Sequence, residues 1–94
     1  MLWTAQARRD VEEIADYLAS RNRYALVRYD ELFQRAIGLL DEQTSIGRDR
    51  SELRPGLRSW PVPPYVMFYR VTPSEPELIR VLHMSRLVVT ELFG

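Results

Sequence analysis

Apolar positions repeat at helical spacing in the first half of the chain and alternate at strand spacing in the second. Ala7, Val11, Ile14, Ala15 and Leu18 fall on one stripe, which predicts an amphipathic helix over residues 5–19. Thr4 stands just before it, with a hydroxyl able to accept from the free amides of the first turn. Arg8, Arg9, Asp10, Glu12, Glu13 and Asp16 lie on the remaining faces and are expected in solvent. Ser20–Asn22 interrupts the pattern, and Asn22 is a good cap for a second helix ending near Glu42. Its buried face is Ala25, Tyr29, Leu32, Phe33, Ala36 and Leu40. Glu31 and Arg35 are spaced as a favourable (i, i+4) pair. So short a connection folds the two helices back as a hairpin.

The second half reads differently. Residues 44–56 are irregular, and Arg54-Pro55-Gly56-Leu57 has the Pro-Gly centre of a type II turn. Leu57–Val62 is a strand that Pro61 makes an edge or a bulged one. Pro63-Pro64 turns the chain. Tyr65–Val71, apolar at nearly every residue, should have both faces covered, as a central strand does. Glu77–Leu82 is a further strand. Ser85 is expected to cap a last short helix with Leu87, Val88 and Leu92 inward, and Leu2-Trp3 is a very short first strand. The order is β-α-α-β-β-β with a short C-terminal helix. A helical hairpin must bury its stripe, and one face of a small antiparallel sheet is its only partner. The expected architecture is therefore a two-layer α+β domain over residues 1–94.

Composition narrows the function classes. The 94 residues are 46% hydrophobic and 28% charged, and no apolar run approaches the ~20 residues of a membrane span. The start, MLWTAQARRD, turns charged too early for a signal peptide. With no cysteine there are no disulfides, which fits a reducing cytoplasm, and a single histidine argues against a structural zinc site. The 13 basic residues are all arginine and are balanced by 13 acidic ones. A zero net charge argues against wrapping nucleic acid.

The candidate chemistry gathers on the strands. Strict alternation puts Arg80 with Leu78 and Leu82, and His83 with Ile79 and Val81. In the central strand Val66, Phe68 and Arg70 oppose Tyr65, Met67, Tyr69 and Val71. The face away from the helices should then carry arginines among aromatics. His83 or Tyr69 as proton carriers, with Arg58 and Arg80 on a scissile phosphate, would suit cleavage of RNA. The competing reading is structural: His83 closes the strand end, and the arginines pair with Glu77, Glu52 or Glu91. Which of these residues converge is open from sequence alone.

Several stretches together resemble a known family. They are the helix series at residues 7–18, I-G-R at 46–48, E-L-R-P-G-L-R at 52–58, Y-V-M-F-Y-R-V at 65–71 and R-V-L-H-M-S-R at 80–86. In this order they resemble the RelE/ParE toxin superfamily, on its ParE branch. The resemblance implies the toxin of a bacterial type II toxin–antitoxin pair, acting on DNA gyrase as a protein inhibitor. Its partner would be a ParD-like antitoxin, and no cofactor or metal is implied. Arg58, Arg80, His83 and Arg86 match the family motifs and are candidate target contacts. Ile14, Leu18, Leu32, Leu87 and Leu92 are candidates for antitoxin binding. The alternative within the superfamily is a RelE-like ribosome-dependent mRNA endoribonuclease, with Arg58, Tyr69, Arg80 and His83 as its catalytic set. Two departures stand out. Only Met1–Trp3 precede the first cap, which predicts a stunted strand and an exposed sheet edge. Leu87 follows Arg86 where the family commonly has Asp.

Overall fold

The computed structural model describes residues 1–93. Strand β1 (Leu2–Trp3) leads into helices α1 (Ala5–Arg21) and α2 (Arg23–Glu42). Strands β2 (Arg48–Asp49), β3 (Leu57–Val62), β4 (Tyr65–Arg70) and β5 (Glu77–His83) follow, and a 3₁₀ turn closes the chain at Thr90–Phe93. The sheet order is β1-β5-β4-β3-β2. Among the described residues only the β1–β5 pair is parallel. This is the expected α+β arrangement, with changes in detail. The irregular 44–56 segment contributes a two-residue strand, β2, paired to Arg58 and Ser59 of β3. Arg70 rather than Val71 ends β4.

Both helix starts obey their local chemistry. The Thr4 hydroxyl accepts from the Ala7 amide at 3.0 Å and donates to the Ile79 carbonyl at 2.9 Å, so one side chain caps α1 and ties it to β5. The Asn22 side chain accepts from the Tyr24 amide, while its own amide donates to Leu18 O. One residue thus ends α1 and starts α2. At the type II turn, Leu57 N–H donates to Arg54 O at 3.1 Å. Gly56 there has φ +79°, a conformation open to glycine. Pro61 sits on β3 opposite Val66, beyond the two residues paired to β2, where its missing amide leaves no ladder bond unmade.

The sheet carries a core on each face. Toward the helices, Met67, Tyr69, Leu78 and Val81 pack with Ala7, Ile14, Phe33, Ala36 and Leu40. On the far face Leu57, Phe68, Ile79, Leu82 and Phe93 form a second cluster, with Leu53, Val66, Val88 and Leu92 against it. The expected mixture of arginines and aromatics on that face is therefore corrected. The 3₁₀ turn and the 50–54 loop cover it, because β4 is apolar on both sides and needs cover on both. Arg50 lies over the Phe68 ring, 5.5 Å from its centroid.

Strict alternation also fails in β5. Tyr69 pairs with Leu78 and Phe68 with Arg80, so Ile79 is an extra residue between them. This bulge moves Leu78 to the helix face and Ile79 to the far face, the reverse of the sequence expectation. Beyond the bulge the pattern resumes. The C-terminal segment differs as well. Ser85 caps no helix, Leu87 is 82% exposed, and the inward anchor is Phe93. On α2, Glu31 reaches Arg28 at 3.6 Å, and not Arg35.

Candidate functional site

Arg80 follows the bulge directly, which places it at the margin of the far face beside α1. Its Nε and Nη2 donate to the two carboxylate oxygens of Asp10 at 2.7 and 2.9 Å. Asp10 also accepts from the Val81 amide at 3.0 Å. That bond has a clear origin. β1 pairs with β5 only at Glu77 and Leu78, and Thr4 N–H takes the next carbonyl, Leu78 O. Past that point the edge of β5 has no strand beside it, and the Asp10 carboxylate takes its place. The expected open edge is thus blunted here by a side chain from α1.

The expectation that Asp10 faces solvent is corrected too: it is 5% exposed. A buried carboxylate is tolerable only when paired and hydrogen-bonded, and here four donors meet it: Arg80 Nε and Nη2, the Val81 amide and Gln6 Nε2 at 3.1 Å. The signal was present in the sequence. Asp10 stands three residues after Ala7 and four before Ile14, on the apolar stripe itself. Arg80 makes a further bond, Nη1 to Leu92 O at 3.0 Å. Arg54 Nη1 donates to Phe93 O at 2.6 Å. These two guanidiniums hold the carbonyls of the final turn, which have no helix of their own to satisfy them.

Tyr69 and Arg58 face each other across β3 and β4 and meet on the 44–47 loop. The Tyr69 hydroxyl accepts from Gly47 N–H at 2.9 Å and donates to Thr44 O at 2.8 Å. Arg58 Nη1 donates to Gly47 O at 2.9 Å. The approach is close enough that a Cβ on Gly47 would run into the Tyr69 ring and lie 2.9 Å from Ser59 O. Burial pushes the Tyr69 phenol above its ordinary pKa, with the Gly47 amide and the Arg58 charge opposing. A fully buried phenol with both hydrogen bonds committed to backbone has no proton to lend.

His83 ends β5 opposite Tyr65, its ring edge-on to that tyrosine with centroids 5.4 Å apart. Nδ1 is 3.0 Å from Ser85 N and 2.8 Å from Ser85 Oγ. An amide can only donate, so Nδ1 is an acceptor and the neutral ring carries its proton on Nε2. Arg86 is exposed and lines a shallow cleft with His83, Glu13, Tyr17 and Tyr65.

The four residues of the ribonuclease reading do not converge. Tyr69 lies four residues along β4 from Tyr65, the partner of His83, roughly 14 Å at ~3.4 Å per residue. Arg80 emerges on the opposite face from Tyr69. Of the other named residues, Ile14 is buried in the core. Leu18 and Leu32 are half-buried and line one apolar groove of about 310 Å³ beside Tyr29, Pro64 and Tyr65. Leu92 packs on the far-face cluster, and Leu87 projects into solvent. Among the described residues no group of three or more His, Cys, Asp or Glu could hold a metal ion. No helix there is long and apolar enough to cross a membrane.

The comparisons with known proteins agree with this architecture. A family model described as the ParE toxin of the type II toxin–antitoxin system parDE matches residues 1–88. Toxin ParE3 of Caulobacter vibrioides is 46% identical over 37 residues, which is 39% of this chain and 37% of that protein. The aligned stretch thus spans little more than a third of that relative's length. The family match runs through both helices, all five strands and the RVLHMSR stretch, and the chain belongs to the ParE toxin family of type II toxin–antitoxin systems.

Proposed function

We propose that this protein arrests bacterial growth by binding DNA gyrase in the cytoplasm, without turning over a substrate, and that a ParD-like antitoxin neutralises it. The observation that carries this reading is the internal use of the candidate catalytic groups. Arg80 is committed to Asp10 and Leu92. Arg58 and Tyr69 are committed to the 44–47 loop. General acid–base cleavage needs an acid, a base and phosphate-binding cations within reach of one phosphodiester. These residues are instead spread over two faces of the sheet, which counts against the endoribonuclease alternative. Membership of the parDE toxin family supports an antitoxin partner.

In this reading Leu18 and Leu32 belong to the antitoxin surface. Ile14 supports that surface from within the core. Leu87 and Leu92 on the C-terminal arm are the remaining antitoxin candidates, and the exposed Arg86 on the same arm is a candidate target contact. Induced expression tests the pair: growth should stop, and resume when the neighbouring open reading frame is co-expressed. Unimpaired growth from a folded, abundant product would refute the reading.

A further inference from the structure

A cavity of about 340 Å³ lies between the first turn of α1, strand β5 and the final turn. Two guanidiniums line it, those of Arg54 and Arg80. Arg80 is 9% exposed and spends three N–H groups on Asp10 and Leu92 O. Arg54 is half-buried and spends one on Phe93 O. The other N–H groups of both forks have no acceptor among the described residues. The charges are uneven as well. Asp10 neutralises Arg80, whereas Arg54 makes no ion pair among the described residues. Buried donors and charges are ordinarily met by partners, and here part of two forks is not.

We propose that this cavity binds a small organic phosphate, with its phosphoryl oxygens on Arg54 and Arg80 and its apolar body against Ile79, Leu92 and Phe93. Each guanidinium presents its donors in one plane. A carboxylate has two oxygens and is saturated by one such fork. A phosphoryl group has three, spread tetrahedrally, and can meet two forks at once. A bare anion would leave most of the space empty, since a volume above ~300 Å³ is that of a small-molecule site. Thr4 and Gln6 bring the start of α1 to the same wall, where the helix dipole adds to the attraction for an anion.

Other occupants fit less well. Glu91 is the one acidic residue among those lining the cavity, which is too few for a metal cation. Arg58, Tyr69 and His83 are absent from its walls, so no acid or base stands ready to cleave a phosphodiester. The site is therefore one of binding, and it does not rest on the function proposed above. Glu91 supplies an internal check, because its carboxylate repels the same phosphate that the arginines attract.

The test is isothermal titration calorimetry of the full chain at constant ionic strength, with adenosine monophosphate, inorganic phosphate and acetate as probes. Adenosine monophosphate should bind saturably at one site. Inorganic phosphate should compete with it more weakly, and acetate should not compete. Arg54→Gln should weaken binding by at least roughly tenfold, as loss of a charge-assisted fork does. Glu91→Gln should tighten it several-fold, a change that a merely structural Glu91 would not cause. Both variants should keep the wild-type circular dichroism spectrum. Absence of saturable binding by the nucleotide would overturn the inference. So would an unchanged affinity in Glu91→Gln, whether or not Arg54→Gln folds. Acetate that competes as well as phosphate would overturn it in favour of a carboxylate. Binding seen only after deletion of Gly94 would overturn it in favour of the chain's own end. In each case the growth-arrest reading stands untouched.

Discussion

Asp10 and Arg80, seventy residues apart in sequence, form a two-pronged ion pair at 2.7 and 2.9 Å. The same carboxylate takes the Val81 amide, and the same guanidinium takes Leu92 O. One contact therefore joins α1, the unflanked half of β5 and the C-terminal turn. Removing one partner strands the other charge, at a cost of about 3–5 kcal/mol, against a total stability of roughly 5–15. Asp10→Ala should lower the urea midpoint accordingly. Asp10→Leu with Arg80→Met should recover part of the loss, because no charge is then left buried. A single variant as stable as wild type would contradict the assignment.

Tyr69→Phe removes the donor to Thr44 O and the acceptor for Gly47 N–H. Both loop groups then lack partners in a buried place, which costs about 1–3 kcal/mol. Thermal denaturation should show the drop, and amide exchange at Gly47 should accelerate. Gly47→Ala should destabilise by the converse route, since its methyl would displace the Tyr69 ring.

The tyrosines set an alkaline limit on stability. Burial is the leading cause that pushes the Tyr29, Tyr65 and Tyr69 phenols upward. In the unfolded chain they ionise near ~10. The folded state then holds more protons than the unfolded one above that pH, so stability falls as pH rises. It is fully present below the unfolded value and declines from there through the folded ones. Denaturant midpoints should fall as pH rises through this window. A midpoint that rose with pH there would contradict the burial of these rings.

Much of this structure was legible because periodicity reports burial. The α1 and α2 stripes, the Thr4 and Asn22 caps, the Pro-Gly turn and the central position of β4 follow from local chemistry. The bulge at Ile79 was not legible, since inserting one residue into β5 leaves no mark on its run of apolar side chains. It decides which way Leu78 and Ile79 point. Asp10 was legible in position but not in role: a carboxylate on a buried stripe signals a partner, and only the tertiary fold names Arg80. The C-terminal arm was misread because Leu87 and Val88 look like a helix face, whereas Phe93 and two guanidiniums hold the segment. Arg58 and Arg80 matched family motifs, and their bonds to the 44–47 loop and the final turn lie beyond any local signal.

His83→Gln should leave the fold intact. The side chain is exposed, and a glutamine oxygen can accept from Ser85 N–H as Nδ1 does. The stability change should stay within about 0.5 kcal/mol, as for surface substitutions generally. Growth arrest on induction should persist. A well-folded variant without any toxicity would return His83 to an acid–base role.

The most direct measurement sets gyrase supercoiling beside translation on programmed ribosomes, with the purified chain added to each. Supercoiling should fail while translation continues, and His83→Gln should inhibit as wild type does. Blocked translation with intact supercoiling, and message cut only when His83 is present, would contradict the account.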